Sequence, residues 1–117
     1  MDAKTLKNLL EEGKERMLLI EVREPDEVSD EPYFEDPPMN YVPLSLTVLS
    51  VLPKEELAEI LREQLRQLNW SEGDIRIVTL CRSGRRSEMA CRYLSHLDVR
   101  VESLDGGYEA WVMASGG

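Results

Sequence analysis

Short apolar runs alternate with helix-type hydrophobic periodicity along this chain. The apolar runs predict strands at residues 17–22, 41–46, 75–80 and 99–104, and Pro43 limits the second of these to a brief strand. Apolar positions three and four apart predict helices over residues 5–14, over residues 53–68, after Gly84, and from residue 108 to residue 113. This alternation predicts an α/β domain with a mostly parallel central sheet flanked by helices.

Turn-forming residues separate the predicted elements. Glu24-Pro25-Asp26, Ser71-Glu72-Gly73-Asp74 and Asp105-Gly106-Gly107 each predict a turn. Residues 29–40 are rich in proline and acidic side chains, which favours an irregular surface excursion over a helix or strand. Since no repeat or linker interrupts the chain, we expect a single domain over residues 1–117.

The charge balance narrows the possible functions. The 117 residues carry a formal net charge of −9, whereas non-specific nucleic-acid binding needs a basic surface, so we expect no nucleic-acid partner. No apolar run is long enough to cross a bilayer and the first residues lack a secretory-signal pattern, so we expect a cytoplasmic protein without a membrane partner. Four arginines nevertheless crowd around one cysteine, namely Arg82, Arg85, Arg86 and Arg92. This basic focus favours a small anionic substrate.

The two cysteines, Cys81 and Cys91, are best interpreted as separate thiols. They lie ten positions apart with His96 as the only histidine, a pattern that does not predict a zinc site. We therefore expect neither a metal nor a cofactor. For Cys91, inside the predicted helix after Gly84, a core or boundary position is favoured, and a resolving cysteine that pairs with Cys81 is the alternative.

Cys81 follows an apolar strand and precedes a helix, the position at which ligands bind in open α/β sheets. Backbone N–H groups without helical partners, the positive end of the helix dipole and flanking arginines all favour a thiolate there. Gly84 allows a tight turn in which successive N–H groups point inward and bind an anion. A cysteine at the end of a buried strand is more often a core residue, but the polar and cationic residues from Arg82 to Glu88 suit an anion site better than a core.

Several segments together resemble the rhodanese-like sulfurtransferases. Cys81-Arg82-Ser83-Gly84-Arg85-Arg86-Ser87 is similar to the active-site loop of that family, and Leu104-Asp105-Gly106-Gly107-Tyr108-Glu109-Ala110-Trp111 is similar to its C-terminal hallmark. Glu21-Val22-Arg23-Glu24 resembles the first-strand signature, with Glu21 where the family usually has Asp, and Tyr41-Val42-Pro43-Leu44-Ser45 resembles part of the second signature. The resemblance extends from about Leu19 to Trp111.

The resemblance implies a three-layer rhodanese-like fold and a two-step sulfur transfer. Cys81 would take the sulfane sulfur of a small anionic donor such as thiosulfate, become a persulfide, and pass the sulfur to cyanide, a thiol or a protein acceptor. The substrate-binding residues it implies are those of the loop, Arg82, Ser83, Gly84, Arg85 and Arg86. Arg82 and Arg86 are the candidates for contacting the donor anion, whereas Arg85 is expected to point toward solvent. The sequence predicts no particular oligomeric state.

Two alternatives remain open at this stage. A non-catalytic module would keep the loop and bind a protein through the acidic residues 25–38, although such a module has no need of the cysteine. A small phosphatase or arsenate reductase would use the same fold, but the phosphatase-like members of the family close their loop one residue later. Here Arg86 closes the loop and Ser87 occupies the later position, which favours sulfur chemistry.

Overall fold

The structure, a computed structural model, describes residues 1–70, 75–97 and 99–115 of the chain. Within these residues four strands form one sheet in the order β2-β1-β3-β4, and every neighbouring pair is parallel. The strands are β1 (Arg16–Glu21), β2 (Tyr41–Pro43), β3 (Ile75–Leu80) and β4 (Arg100–Ser103). The predicted parallel sheet is confirmed, and all four strands end at one edge.

Helices cover both faces of this sheet. They are α1 (Ala3–Glu12), α2 (Pro25–Asp30), α3 (Leu46–Val51), α4 (Lys54–Gln67), α5 (Arg85–Leu94) and α6 (Gly107–Ala114), and a short 3-10 turn follows α5. Apolar residues of α1 and α6 pack on one face, while those of α3, α4 and α5 pack on the other. The result is three layers, helix on sheet on helix.

Strand β1 shows how one sequence serves both faces. Met17 and Leu19 join the cluster beneath α1 and α6, while Leu18 and Ile20 join the cluster beneath α3, α4 and α5. All four are at most 1% exposed, as expected for a strand whose side chains alternate between two covered faces. This double burial explains why residues 17–20 of β1 form a continuous apolar run.

Two local predictions require correction, and one helix was not predicted. The turn predicted at Glu24-Pro25-Asp26 is the start of α2, because Pro25 suits a first helical position and Glu24 forms a capping box with Glu27. The excursion predicted for residues 29–40 does not lie wholly on the surface, since Tyr33 is buried. Helix α3, to which no prediction was attached, begins where the side chain of Ser45 accepts a hydrogen bond from the Val48 N–H. The turn predicted at residues 71–74 lies outside the described residues.

Helix α5 buries a narrower face than its periodicity suggests. Ala90 and Leu94 are fully buried, but Met89 is 49% exposed and Tyr93 is 36% exposed. With Arg86, these two side chains line one wall of an open groove of about 250 Å³. Within the described residues, no helix combines the length and the apolarity needed to span a membrane.

Candidate functional site

The ends of the parallel strands bring the predicted site residues to one edge of the sheet. Glu21 ends β1 opposite Leu80, the last residue of β3, so Cys81 lies beside the residues that follow β1. Leu104 follows β4, and its N–H donates to the Thr79 carbonyl of β3. The cysteine loop, the Glu-Val-Arg segment and the Asp-Gly-Gly-Tyr segment therefore meet at the edge where open α/β folds bind ligands.

The thiol of Cys81 lies at the floor of a tight loop. The residue is 0% exposed, and its Sγ accepts a hydrogen bond from the Gly84 N–H at 2.9 Å. Gly84 has φ 102° and ψ −18°, a conformation that L side chains rarely adopt, and it is the N-cap of α5. The predicted role of this glycine in turning a backbone donor inward is thus visible in the loop geometry.

Ser87 is a second partner of the thiol, which sequence reasoning did not single out. The Cys81 thiol donates to Ser87 Oγ at 3.3 Å, and the Ser87 hydroxyl donates to the Gly84 carbonyl at 3.0 Å. Ser87 is fully buried, and its own carbonyl accepts from Thr79 Oγ1 at 2.9 Å. The sequence signal that could have identified Ser87 is its position directly after the paired arginines, one helical turn from the loop glycine.

The loop backbone is held from behind by two aromatic residues distant in sequence. The Cys81 carbonyl accepts the Tyr108 N–H at 2.8 Å and also the Tyr33 hydroxyl in a short hydrogen bond. Tyr33 is fixed in turn, because Trp111 Nε1 donates to its carbonyl at 3.2 Å. Trp111 and Tyr33 therefore act as core packing that supports the loop.

Gly107 allows this close approach of two backbones. Its φ is +58°, and a Cβ built there would lie 2.6 Å from both the carbonyl carbon and the carbonyl oxygen of Arg82. We expect Gly107→Ala to destabilise the fold by about 2–4 kcal/mol, since it adds a backbone clash to the cost of a left-handed alanine. Gly13→Ala is the matched control, because Gly13 has a similar φ of +64° but open space around it.

Urea denaturation of the two variants measures this difference. Gly107→Ala should lose clearly more stability than Gly13→Ala and should also impair any reaction at Cys81, since the displaced backbone belongs to its loop. Equal losses in the two variants would contradict the packing assigned to Gly107.

The loop arginines are engaged by helix α2. Arg86 makes a bidentate ion pair with Glu27, with Nη1–Oε1 at 2.5 Å and Nη2–Oε2 at 2.7 Å. Hydrogen bonds from Arg86 lower the pKa of Glu27 to about 2 and, reciprocally, Glu27 raises the pKa of Arg86. Arg82 Nη1 contacts Glu31 Oε1 at 3.0 Å in a more exposed pair. Because the folded-state pKa of Glu27 is depressed, its ion pair is lost only as the pH falls toward about 2.

The other predicted loop residues are exposed. Ser83 and Arg85 lie on the surface, and Arg85 makes no ion pair with any described residue. The structure thus brings Gly84 to the thiol, directs Arg82 and Arg86 to carboxylates, and leaves Arg85 facing solvent as expected. Sequence reasoning missed Glu27 and Glu31, although their spacing of four residues places both on one face of a helix.

A buried ion pair lies beside the loop. Arg23 contacts Glu21 through Nη2–Oε1 at 2.8 Å and Nε–Oε2 at 3.1 Å, and both side chains are at most 1% exposed. Burial disfavours the charged guanidinium, but the hydrogen bonds and charge of Glu21 outweigh it and raise the pKa of Arg23. The rings of Tyr33 and Tyr108 lie 5.0 Å and 5.2 Å from the guanidinium carbon. Glu21, in place of the usual Asp, therefore forms a complete bidentate pair.

Cys91 is a free thiol, as is Cys81. Cys91 is half-buried, its Sγ lies 3.5 Å from Thr79 Oγ1, and burial raises its pKa. A raised pKa disfavours the nucleophilic thiolate, so this environment fits the boundary position favoured for Cys91 better than a resolving cysteine.

Comparison with known sequences identifies one family. The model of the rhodanese-like domain matches residues 2–114 of the chain, nearly its whole length. No curated protein matches the chain in sequence.

Solved structures share the fold at low sequence identity. A protein of unknown function from Rhodopseudomonas palustris CGA009, described as a possible tyrosine phosphatase, aligns with a TM-score of 0.72 and 19% identity over 99% of this chain and 80% of its own. A single-domain sulfurtransferase from Saccharomyces cerevisiae aligns with a TM-score of 0.62 and 21% identity, over 99% of this chain and 89% of its own. A rhodanese-related protein from Thermoplasma volcanium aligns with a TM-score of 0.59 and 22% identity, over 97% of this chain and 89% of its own. These similarities confirm the predicted three-layer fold.

Proposed function

Because this chain belongs to the family of rhodanese-like domains, we propose that it is a sulfurtransferase that carries sulfane sulfur as a persulfide on Cys81. The observation that carries the proposal is the hydrogen bond from the Gly84 N–H to the Cys81 Sγ at the floor of the loop. A backbone donor fixed on a sulfur atom stabilises the anionic form of that sulfur without further rearrangement. The yeast relative described as a single-domain sulfurtransferase lends support by analogy.

In the first step the Cys81 thiolate attacks the outer sulfur of a donor such as thiosulfate. A new S–S bond forms on Cys81, the S–S bond of thiosulfate breaks with both electrons leaving on sulfite, and the negative charge moves to the outer sulfur of the persulfide. The attack requires the thiolate, so the thiol proton is first released to solvent; the Ser87 hydroxyl accepts the hydrogen bond of the thiol at 3.3 Å but is too weak a base to keep the proton. The unpaired N–H groups at the start of α5 favour the resulting anion.

In the second step a nucleophile attacks the outer sulfur of the persulfide. Cyanide takes up the sulfur to become thiocyanate, or a thiolate takes it up to become a new persulfide. In either case the S–S bond breaks and its electrons return to the Cys81 thiolate, which is the leaving group. Sulfur is therefore the only group transferred, and no cofactor is needed to balance either step. A thiol, free or on a protein, is the acceptor class we propose.

The narrowness of the loop supports sulfur over phosphate as the transferred group. Arg86 closes the loop five positions after Cys81, Gly84 folds back onto the thiol, and the cysteine is fully buried. A terminal sulfur is a single atom and reaches such a thiol more readily than a phosphoryl group with its three oxygens. The phosphatase alternative is disfavoured on these grounds.

Steady-state kinetics with thiosulfate and cyanide test the proposal. A persulfide enzyme releases sulfite before cyanide binds, so double-reciprocal plots at several fixed cyanide concentrations should be parallel, the signature of a ping-pong mechanism. Intersecting lines would contradict a covalent intermediate. Absence of any turnover or persulfide with thiosulfate and with organic donors would favour the non-catalytic binding module, in which the acidic residues 25–38 contact a partner.

A further inference from the structure

The positive charge of the cysteine loop is largely cancelled by one helix. Arg82, Arg85 and Arg86 would together present three positive charges to a substrate anion, but Glu27 and Glu31 pair with two of them. These glutamates lie one turn apart in and just after α2, the acidic helix that follows β1. Considered with these two partners, the loop retains one net positive charge, carried by the exposed Arg85.

The two ion pairs differ in strength. Arg82 and Glu31 share one contact at 3.0 Å, with side chains 54% and 43% exposed, so water screens the pair and a ligand exchanges with it easily. Arg86 and Glu27 share two contacts at 2.5 Å and 2.7 Å, with side chains 34% and 29% exposed. Bidentate charge-assisted pairs with restricted exposure are the stronger kind.

Arg86 lies close in the fold to the thiol loop. It is anchored in the first turn of α5, two residues after the glycine whose N–H contacts Sγ. An oxyanion placed over the Cys81 sulfur would therefore compete with the Glu27 carboxylate for the same guanidinium. Since guanidinium groups bind carboxylates and other oxyanions through the same fork, the two occupants exclude each other at its Nη atoms.

We infer that Glu27 is a specificity-determining residue that competes with the donor anion for Arg86 and so selects against dianionic donors such as thiosulfate. This inference rests on the proposed sulfur transfer at Cys81. A donor with one charge less, such as an organic thiosulfonate, has less to gain from Arg86 and is less affected by the competition. Glu27 does not touch the reacting sulfur, and its effect is exerted through the availability of Arg86.

Glu27→Gln tests this role with little disturbance of the fold. The Glu27 Oε1 accepts the Glu24 N–H at 3.1 Å in the capping box of α2, and a glutamine oxygen preserves that bond. The amide removes the charge that competes for Arg86. Asp26→Asn is the matched control, because Asp26 is an exposed acid of the same helix turn with no ion pair to a described residue, and its loss changes the net charge equally.

We expect Glu27→Gln to lower the KM for thiosulfate about fivefold with little change in kcat, since it unmasks a cation that binds the donor before chemistry. The KM for benzenethiosulfonate, a monoanion, should fall by less, and Asp26→Asn should change either KM by less than about twofold. A KM for thiosulfate that is unchanged, raised, or equal to that of Asp26→Asn would overturn the inference, and a raised KM would identify Glu27 as a residue that positions Arg86.

Binding without turnover separates this inference from the proposed function. In a Cys81→Ser background, calorimetry should give a Kd for thiosulfate about fivefold lower with Glu27→Gln than without it, whatever the chemistry at residue 81. Equal affinities overturn the role of Glu27. Failure of the sulfur-transfer proposal is recognised independently, by the absence of persulfide in the protein with both donors.

Discussion

Replacing Cys81 with serine is expected to abolish persulfide formation and to lower sulfur transfer by about a thousandfold or more, because the hydroxyl is a far weaker nucleophile toward sulfur. The fold should persist. Serine is similar in size, it can still accept the Gly84 N–H, and the Cys81 carbonyl bonds to Tyr33 and Tyr108 do not involve the side chain. Thiocyanate production from thiosulfate and cyanide measures the loss, and far-UV circular dichroism checks the fold.

Cys91→Ser is the matched control for this experiment. It removes the other thiol, which lies within helix α5, is half-buried and has a raised pKa. The Sγ of Cys91 lies against the Thr79 hydroxyl of strand β3. Its activity should stay within about twofold of the parent protein, since the thiol takes no part in the proposed steps. Retained activity in Cys81→Ser, or its loss only in Cys91→Ser, would mean that the nucleophile has been misassigned.

Breaking the buried Glu21–Arg23 pair should produce the largest loss of stability. Arg23→Ala leaves the Glu21 carboxylate without its bidentate partner at a site 0% exposed, where, among the described residues, only the Tyr41 hydroxyl at 3.2 Å still donates to it. An uncompensated buried charge of this kind costs about 3–5 kcal/mol, and the lost stacking on Tyr33 and Tyr108 adds to it. The free energy of unfolding from urea titration is the measurement.

Two further variants make this second prediction specific. Arg66→Ala removes an arginine from an exposed ion pair with Glu63 and should cost less than about 1 kcal/mol. The double variant Glu21→Leu/Arg23→Met leaves no buried charge and should regain much of the stability lost in Arg23→Ala. If Arg23→Ala is as mild as Arg66→Ala, the buried pair does not hold the loop region together as described.

Much of the fold could be predicted because its main elements have strong local signals. Strand β3 is mostly apolar and rich in β-branched residues, and its bounds agree with the predicted residues 75–80. Helix α1 ends at Gly13, which takes the left-handed conformation that ends many helices. Helices α2 and α3 have six residues each, too few for a hydrophobic period to show, and only their caps distinguish them from turns.

The candidate site was likewise predictable only where its residues carry a local sequence signal. The cysteine, the loop glycine and the strand-to-helix context are contiguous in sequence, so they could be recognised together. The partners of the loop arginines could not, because Glu27 and Arg86 are 59 residues apart and meet only through the tertiary fold. Tyr33 could not be recognised as a site residue either. Its acidic, proline-rich surroundings favour a surface loop, whereas in the fold its hydroxyl reaches the Cys81 carbonyl.

The measurement that bears most directly on the central claim is peptide-resolved mass after incubation of the reduced protein with thiosulfate. A persulfide on Cys81 predicts a gain of one sulfur atom, about 32 Da, on the peptide that contains this residue, none on Cys91, and complete removal by cyanide. A protein that gains no sulfur from thiosulfate or from an organic thiosulfonate, or that gains it on Cys91, would contradict a sulfurtransferase that works through Cys81.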